Sequence, residues 1–119
     1  MKTPLVIYHS PCLDGFTAAW ACWTAHPYWE YMPKSHGEPI PNLADLQGRD
    51  VYFLDFSYKR PVMESIIDVA EIVTIFDHHA SAEQELQELL DQNRVRGKFD
   101  MNKSGAVMSW EYFNPGVSI

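Results

Sequence analysis

Basic residues are scarce in this chain. Nine lysines and arginines stand against sixteen aspartates and glutamates, a net charge of −7. That imbalance argues against a surface that grips long nucleic acid by neutralising its phosphates. It leaves room for small phosphorylated compounds, because a bound metal ion inverts the charge of a pocket locally. Cysteine is scarce too. Cys12 and Cys22 make no CxxC pair, and two such residues in an intracellular chain read as free thiols rather than a disulfide. Long hydrophobic runs are missing, which removes a helical membrane span. The start, Met1-Lys2-Thr3-Pro4, lacks signal-peptide anatomy, so the expected location is the cytoplasm. No internal repeat or low-complexity stretch interrupts the 119 residues, a length suited to one domain.

What is present is an alternation of short apolar runs with helical periods, the pattern of βαβ units. Leu5–Tyr8 reads as a first strand, apolar on both faces as a covered parallel strand should be. Phe16, Ala19, Trp20 and Trp23 then fall at helical spacing, until His26-Pro27 ends the helix. Tyr28–Met32 is a second strand. Pro33 to Asn42 holds three prolines and a glycine and reads as a loop, with Asn42 capping a short turn through Leu46. Val51–Leu54 is the third strand, and Val62, Ile66, Ile67 and Ala70 form the apolar face of the next helix. Ile72–Phe76 is a fourth strand.

The following helix starts at Ser81 and turns Leu86, Leu89 and Leu90 inward. Its Glu83, Glu85, Glu88 and Asp91 form a solvated outer face. Val95–Phe99 is a weaker fifth strand. A last helix after Ser104-Gly105 carries Val107, Trp110 and Phe113 on one side, and Asn114-Pro115-Gly116 ends it. Trp20, Trp23 and Trp110 thus lie on expected core faces, where packing rather than base stacking is their role. The expected fold is a single three-layer α/β domain with a mainly parallel sheet of about five strands.

Ligands of such sheets bind outside the carboxyl ends of the strands. Three expected strands end there in metal-competent side chains. The first ends at His9, with Cys12 and Asp14 in the loop beyond; the third ends at Asp55; the fourth ends at Asp77-His78-His79. Mixed carboxylate and imidazole suit Mn²⁺, Zn²⁺, Fe²⁺ or Co²⁺ better than Ca²⁺ or Mg²⁺. Singly, each residue has a plainer reading. His9 reads as a hydrogen-bonded rim histidine, Asp14 as an Asx cap and Asp55 as a cap for the next helix. Two imidazoles beside a carboxylate after a buried strand are not needed for capping, and together the residues point to a divalent-metal site.

These segments resemble the DHH superfamily of phosphoesterases, which includes exonucleases of the RecJ type, nano-RNases, cyclic-dinucleotide phosphodiesterases and manganese-dependent pyrophosphatases. Tyr8-His9-Ser10-Pro11-Cys12-Leu13-Asp14-Gly15 is similar to the first motif of that family. Leu54-Asp55-Phe56-Ser57-Tyr58 is similar to the second, and Phe76-Asp77-His78-His79 to the signature. Asp100 to Val107 and Trp110 to Phe113 are similar to the stretch leading to the fourth motif. The likeness spans residues 1–119 as one DHH-like domain. It implies two metals roughly 3.5–4 Å apart that clamp a phosphate and activate water, Mn²⁺ first, Zn²⁺ or Fe²⁺ as alternatives.

By position, Asp55 would bridge both metals, His9 would bind one and Asp14 the other. His78 would contact metal or substrate, with Asp77 and His79 positioning it. Cys12 stands where an aspartate is usual, either a softer ligand favouring Zn²⁺ or Fe²⁺ or simply a small loop residue. No acid follows Glu111, so the fourth-motif aspartate has no counterpart, and neither has the carboxy-terminal DHHA1 domain.

On the substrate side, the backbone N–H groups of Ser104, Gly105 and Ala106 would offer an anion site at a helix N-terminus, unless Ser104 is an ordinary cap. Lys103 and Arg60 would add contacts to phosphate, or be solvated surface charges. The expected activity is hydrolysis of a nucleotide, cyclic nucleotide or short oligonucleotide. The alternative is a relative that binds nucleotide or metal without turnover. A homo-oligomer in which a second chain completes the site also fits the sequence.

Overall fold

The computed structural model describes residues 2–118. Strand β1 (Leu5–His9) leads into helix α1 (Leu13–Ala25), then β2 (Glu30–Lys34), the short α2 (Leu43–Leu46) and β3 (Asp50–Leu54). Helix α3 (Arg60–Val69), β4 (Ile72–Asp77), α4 (Ala80–Asp91), β5 (Arg96–Phe99) and α5 (Gly105–Phe113) complete the chain. The five strands form one sheet in the order β2-β1-β3-β4-β5, and every neighbouring pair is parallel. This is the expected α/β class.

Alternation along the strands divides the apolar residues between two layers. Leu5, Ile7, Val51, Phe53 and Ile75 pack with Leu46, Met63, Ile66, Leu86 and Leu89 of α2, α3 and α4. Val6, Leu54 and Phe76 face the other way, onto Ala18, Cys22 and Met108 of α1 and α5. The chain leaves β1 for β2 on one side and returns to β3 on the other. The order therefore reverses between β1 and β3, where a parallel sheet opens a crevice at its carboxyl edge.

Several boundaries differ from the sequence expectation. The second strand runs Glu30–Lys34 rather than Tyr28–Met32, so Pro33 lies inside a strand instead of a loop. Because β2 is an edge strand, a residue without an N–H is tolerated there. Helix α4 begins at Ala80 with His79 as its cap, and β5 begins at Arg96.

The larger correction concerns α1 and α5. The inner face of α1 is Gly15, Ala18, Ala19, Ala21 and Cys22, while Phe16, Trp20 and Trp23 are 61%, 42% and 50% exposed. In α5 the buried residues are Gly105, Met108 and Ser109, and Val107 faces outward. Trp110 is only half-buried and stacks on Trp20 at 5.4 Å. Small side chains let α1 and α5 approach each other and the sheet closely, which leaves the aromatic stripe outside. No helix among the described residues is long and apolar enough to cross a membrane.

Gly97 in β5 has φ of +120°, and a Cβ there would lie 1.8 Å from the carbonyl oxygen of Ile75 in β4. Both the strained backbone and the clash oppose any side chain. Gly97→Ala is expected to lower stability by at least about 2 kcal/mol, read as an earlier urea midpoint at unchanged slope.

Candidate metal centre

Asp55 is the first residue past β3 and adopts φ of +58°, a left-handed conformation that aspartate and asparagine accept more readily than most side chains. Its N–H still donates to the carbonyl of Phe76 at 2.9 Å, so the sheet ladder holds it in place. The side chain is buried at the β1–β3 reversal. His9, at the end of β1, brings Nδ1 to 3.7 Å from Asp55 Oδ2. Cys12 caps α1 without spending its side chain on the cap, and its Sγ lies 3.6 Å from the same oxygen. From the β4 end, His78 Nε2 lies 2.8 Å from Asp55 Oδ1 and 3.2 Å from Asp14 Oδ2.

Asp77 does different work. Its Oδ1 accepts the backbone N–H groups of His78 and His79, at 2.7 and 3.2 Å, and lies 2.6 Å from His79 Nδ1. Ser57 Oγ donates to Oδ2 at 3.3 Å. With both oxygens occupied, Asp77 orients the turn that carries the two histidines.

Asp14 in the first turn of α1 also faces the first turn of α5. Its carboxylate accepts from Gly105 N at 3.0 Å and Ala106 N at 2.9 Å. A carboxylate at a helix N-terminus is favoured by the unpaired N–H groups and the helix dipole. Gly105 permits this closeness, since a Cβ at that position would come within 2.8 Å of Asp55 Cβ.

The arrangement has the marks of a cation site. Two groups of ligand atoms lie within 4.8 Å of one another: Asp55, Asp77, His78 and His79 in one, His9, Cys12 and Asp55 in the other. Asp55 belongs to both. His9 Nδ1 and Asp55 Oδ1 are buried without any hydrogen-bond partner, although His78 Nε2 is close to the latter. Imidazole nitrogens, a thiol and carboxylate oxygens that converge in this way are donors a divalent metal ion takes readily. These acidic and histidine side chains could therefore hold a divalent metal, and the nitrogen, sulfur and oxygen donors fit one.

The sequence-derived metal residues His9, Cys12, Asp14, Asp55, Asp77 and His78 are thus brought together, with His79 at their margin. The four residues assigned to phosphate behave differently. Ser104 is the α5 cap, its Oγ accepting from Val107 N, and the N–H groups of Gly105 and Ala106 are taken by Asp14. The α5 anion site is filled by the chain's own carboxylate. Lys103 Nζ pairs with Glu111 at 2.7 Å. Arg60 binds Glu88 at 2.8 Å while its backbone N–H donates to Glu85, so α4's acidic face is partly used to tie α3 to α4.

Two contributors went unread in the sequence. Ser57 holds Asp77, and its one signal is a small polar residue in an otherwise apolar, buried segment. His36, from the loop after β2, lies over the rim with its ring 5.4 Å from His9 and 4.8 Å from Phe56. A histidine among prolines and glycines carries no periodic signal.

No family profile matches the chain, and no solved structure matches it. The chain is similar to an uncharacterized protein of Acanthamoeba polyphaga mimivirus, with 30% identity over 135 residues covering 99% of this chain. The match takes up 31% of that relative, so the chain spans about a third of its length.

Burial, and then the neighbouring Asp14 carboxylate, push the Asp55 carboxyl above its ordinary range, with His78 and His79 opposing them. A carboxyl whose folded pKa exceeds its unfolded value contributes stability when protonated, and that contribution is lost as pH rises through the folded pKa. Without metal, Asp55→Asn is expected to raise the melting temperature near neutral pH by roughly 2–5 °C. Asparagine keeps the left-handed backbone but removes the charge. If the site takes a divalent metal, added Mn²⁺ or Zn²⁺ should raise the melting temperature of the parent and not of this variant.

The two thiols should also separate. Burial pushes Cys22 up to about 12, a hydrogen bond from Tyr31 only partly opposing it, whereas Cys12 is partly exposed. Folded protein should titrate with one thiol per chain towards an aromatic disulfide reagent, at Cys12, and saturating Zn²⁺ should slow that reaction.

Proposed function

We propose that this chain is a metal-dependent phosphoesterase of the DHH type, acting on a nucleotide, cyclic nucleotide or short oligonucleotide. The observation that carries this reading is the buried Asp55 carboxylate, shared by two groups of potential ligands at the carboxyl edge of a parallel sheet, with His78 Nε2 2.8 Å from one oxygen and Cys12 Sγ 3.6 Å from the other. His9, Cys12 and Asp55 would hold one metal, and Asp55 with Asp14 and His78 a second. A divalent metal there supplies Lewis acidity towards a phosphoryl oxygen and lowers the pKa of water. Mn²⁺ follows from the family resemblance, while the Cys12 sulfur favours Zn²⁺ or Fe²⁺.

The chain's own residues contribute orientation. Asp77 holds the backbone of the His78–His79 turn and orients the His79 ring, and Ser57 fixes Asp77. Asp14, anchored to α5, keeps a second carboxylate beside His78. Glycine at 105 lets the α5 N-terminus close over Asp55 and limits water on that side. The expected partner is a small phosphorylated substrate, and the net charge of −7 disfavours long nucleic acid. A cytoplasmic location belongs to this same reading.

Binding without turnover is the second reading. The observation favouring it is that Arg60 and Lys103, the cations expected to meet phosphate, are already paired with Glu88 and Glu111.

Mn²⁺-dependent hydrolysis of bis(p-nitrophenyl) phosphate and of a nucleotide panel tests the proposal. The parent should be active, Asp55→Asn should lose at least about 100-fold, and Ser57→Ala should weaken metal affinity about tenfold. A parent that binds metal by calorimetry yet hydrolyses nothing supports the binder instead.

A further inference from the structure

The least explained surface of the molecule is the outer side of α1 and α5. Leu13, Phe16, Trp20 and Trp23 follow one another at helical spacing along α1 and are 82%, 61%, 42% and 50% exposed. Trp110 of α5 stacks on Trp20, and Val107 extends the patch one turn along α5. These side chains leave about 500 Å² of apolar surface in water, if a fully exposed aromatic counts for about 200 Å². Apolar surface of that size is at the upper end of what a monomer exposes and often serves a function. A standard interface buries about 800 Å² per partner, and in homodimers about two-thirds of it is apolar, which is the area this face supplies.

We propose that the α1–α5 face is where a second copy of this chain docks, forming a two-fold dimer. Charge selects the occupant. Neither helix contains a lysine or arginine, and α1 has Asp14 as its single acid. Asp14 is turned into the α5 N-terminus, where its carboxylate accepts from Gly105 N and Ala106 N, and Glu111 is paired with Lys103. The acids of α4 lie across the sheet, with the opposite core layer. Two chains of charge −7 therefore meet here with no like charges opposed and their acidic helices far apart. A two-fold axis sets each aromatic stripe against its own copy, so the patch is its own complement. An anionic membrane is a poorer fit, because interfacial helices use flanking Lys and Arg that this face lacks.

Sedimentation equilibrium of the full chain across the micromolar range tests this. The parent should give twice the chain's mass at the upper end. Phe16→Glu and Trp23→Glu each put a charge into the seam and should weaken the dimer by more than about tenfold, with far-UV circular dichroism unchanged. Both residues are exposed, so the folded monomer should tolerate the changes. If either unfolds, Thr17→Arg on the same face gives the reading. A parent monomeric throughout the range overturns the proposal and leaves the face to a different polypeptide. A dimer that survives all folded variants overturns it as well.

Discussion

A carboxylate buried at the end of a parallel strand is costly unless something positive or protic meets both of its oxygens. Asp55 is such a carboxylate, and the neighbouring elements are arranged around that cost. β1 brings His9, the β4 turn brings His78 Nε2 to 2.8 Å from one oxygen, and the cap of α1 brings the Cys12 thiol to 3.6 Å from the other. A second carboxylate, Asp14, is held nearby by the first turn of α5 and adds repulsion rather than relief. The fold thus keeps two carboxylates close at the edge of its core, with His78 between them, a state a cation would relieve further.

Holding that state takes structure from far along the chain. Asp14 and Gly105 are 91 residues apart in sequence, and their contact closes α5 against α1. Gly105 also has to lack a side chain, because Asp55 occupies the space. Asp77 and Ser57 similarly join the end of β4 to the loop after β3. The geometry of the rim therefore belongs to the fold as a whole, and the same burial that orders it raises the Asp55 carboxyl.

The sheet and the rim were largely legible in the sequence. Short β-branched runs ending in His9, Asp55 and Asp77 mark strands by composition and mark their carboxyl ends by chemistry. The orientation of α1 was not legible, because periodicity weights large apolar residues and the true inner face is alanine, glycine and cysteine. Steric closeness between helices selects small side chains, and that preference is faint in a hydrophobicity pattern. The role of the α5 N-terminus was hidden for a different reason. Its N–H groups are natural anion ligands, but only the tertiary fold reveals that the anion is Asp14. Likewise, pairing of Arg60 with Glu88, 28 positions on, leaves no local mark.

Pro33 lies in the outermost strand on one side of the sheet, where it cannot donate a ladder hydrogen bond. On the other side, β5 offers the charged, exposed Arg96 and Lys98 around a glycine with positive φ. Both rows of open backbone groups are thereby blunted against strand addition, the route by which sheets grow into fibrils. A protein of this kind can carry tryptophan on the outside of its helical flank without inviting runaway β-aggregation.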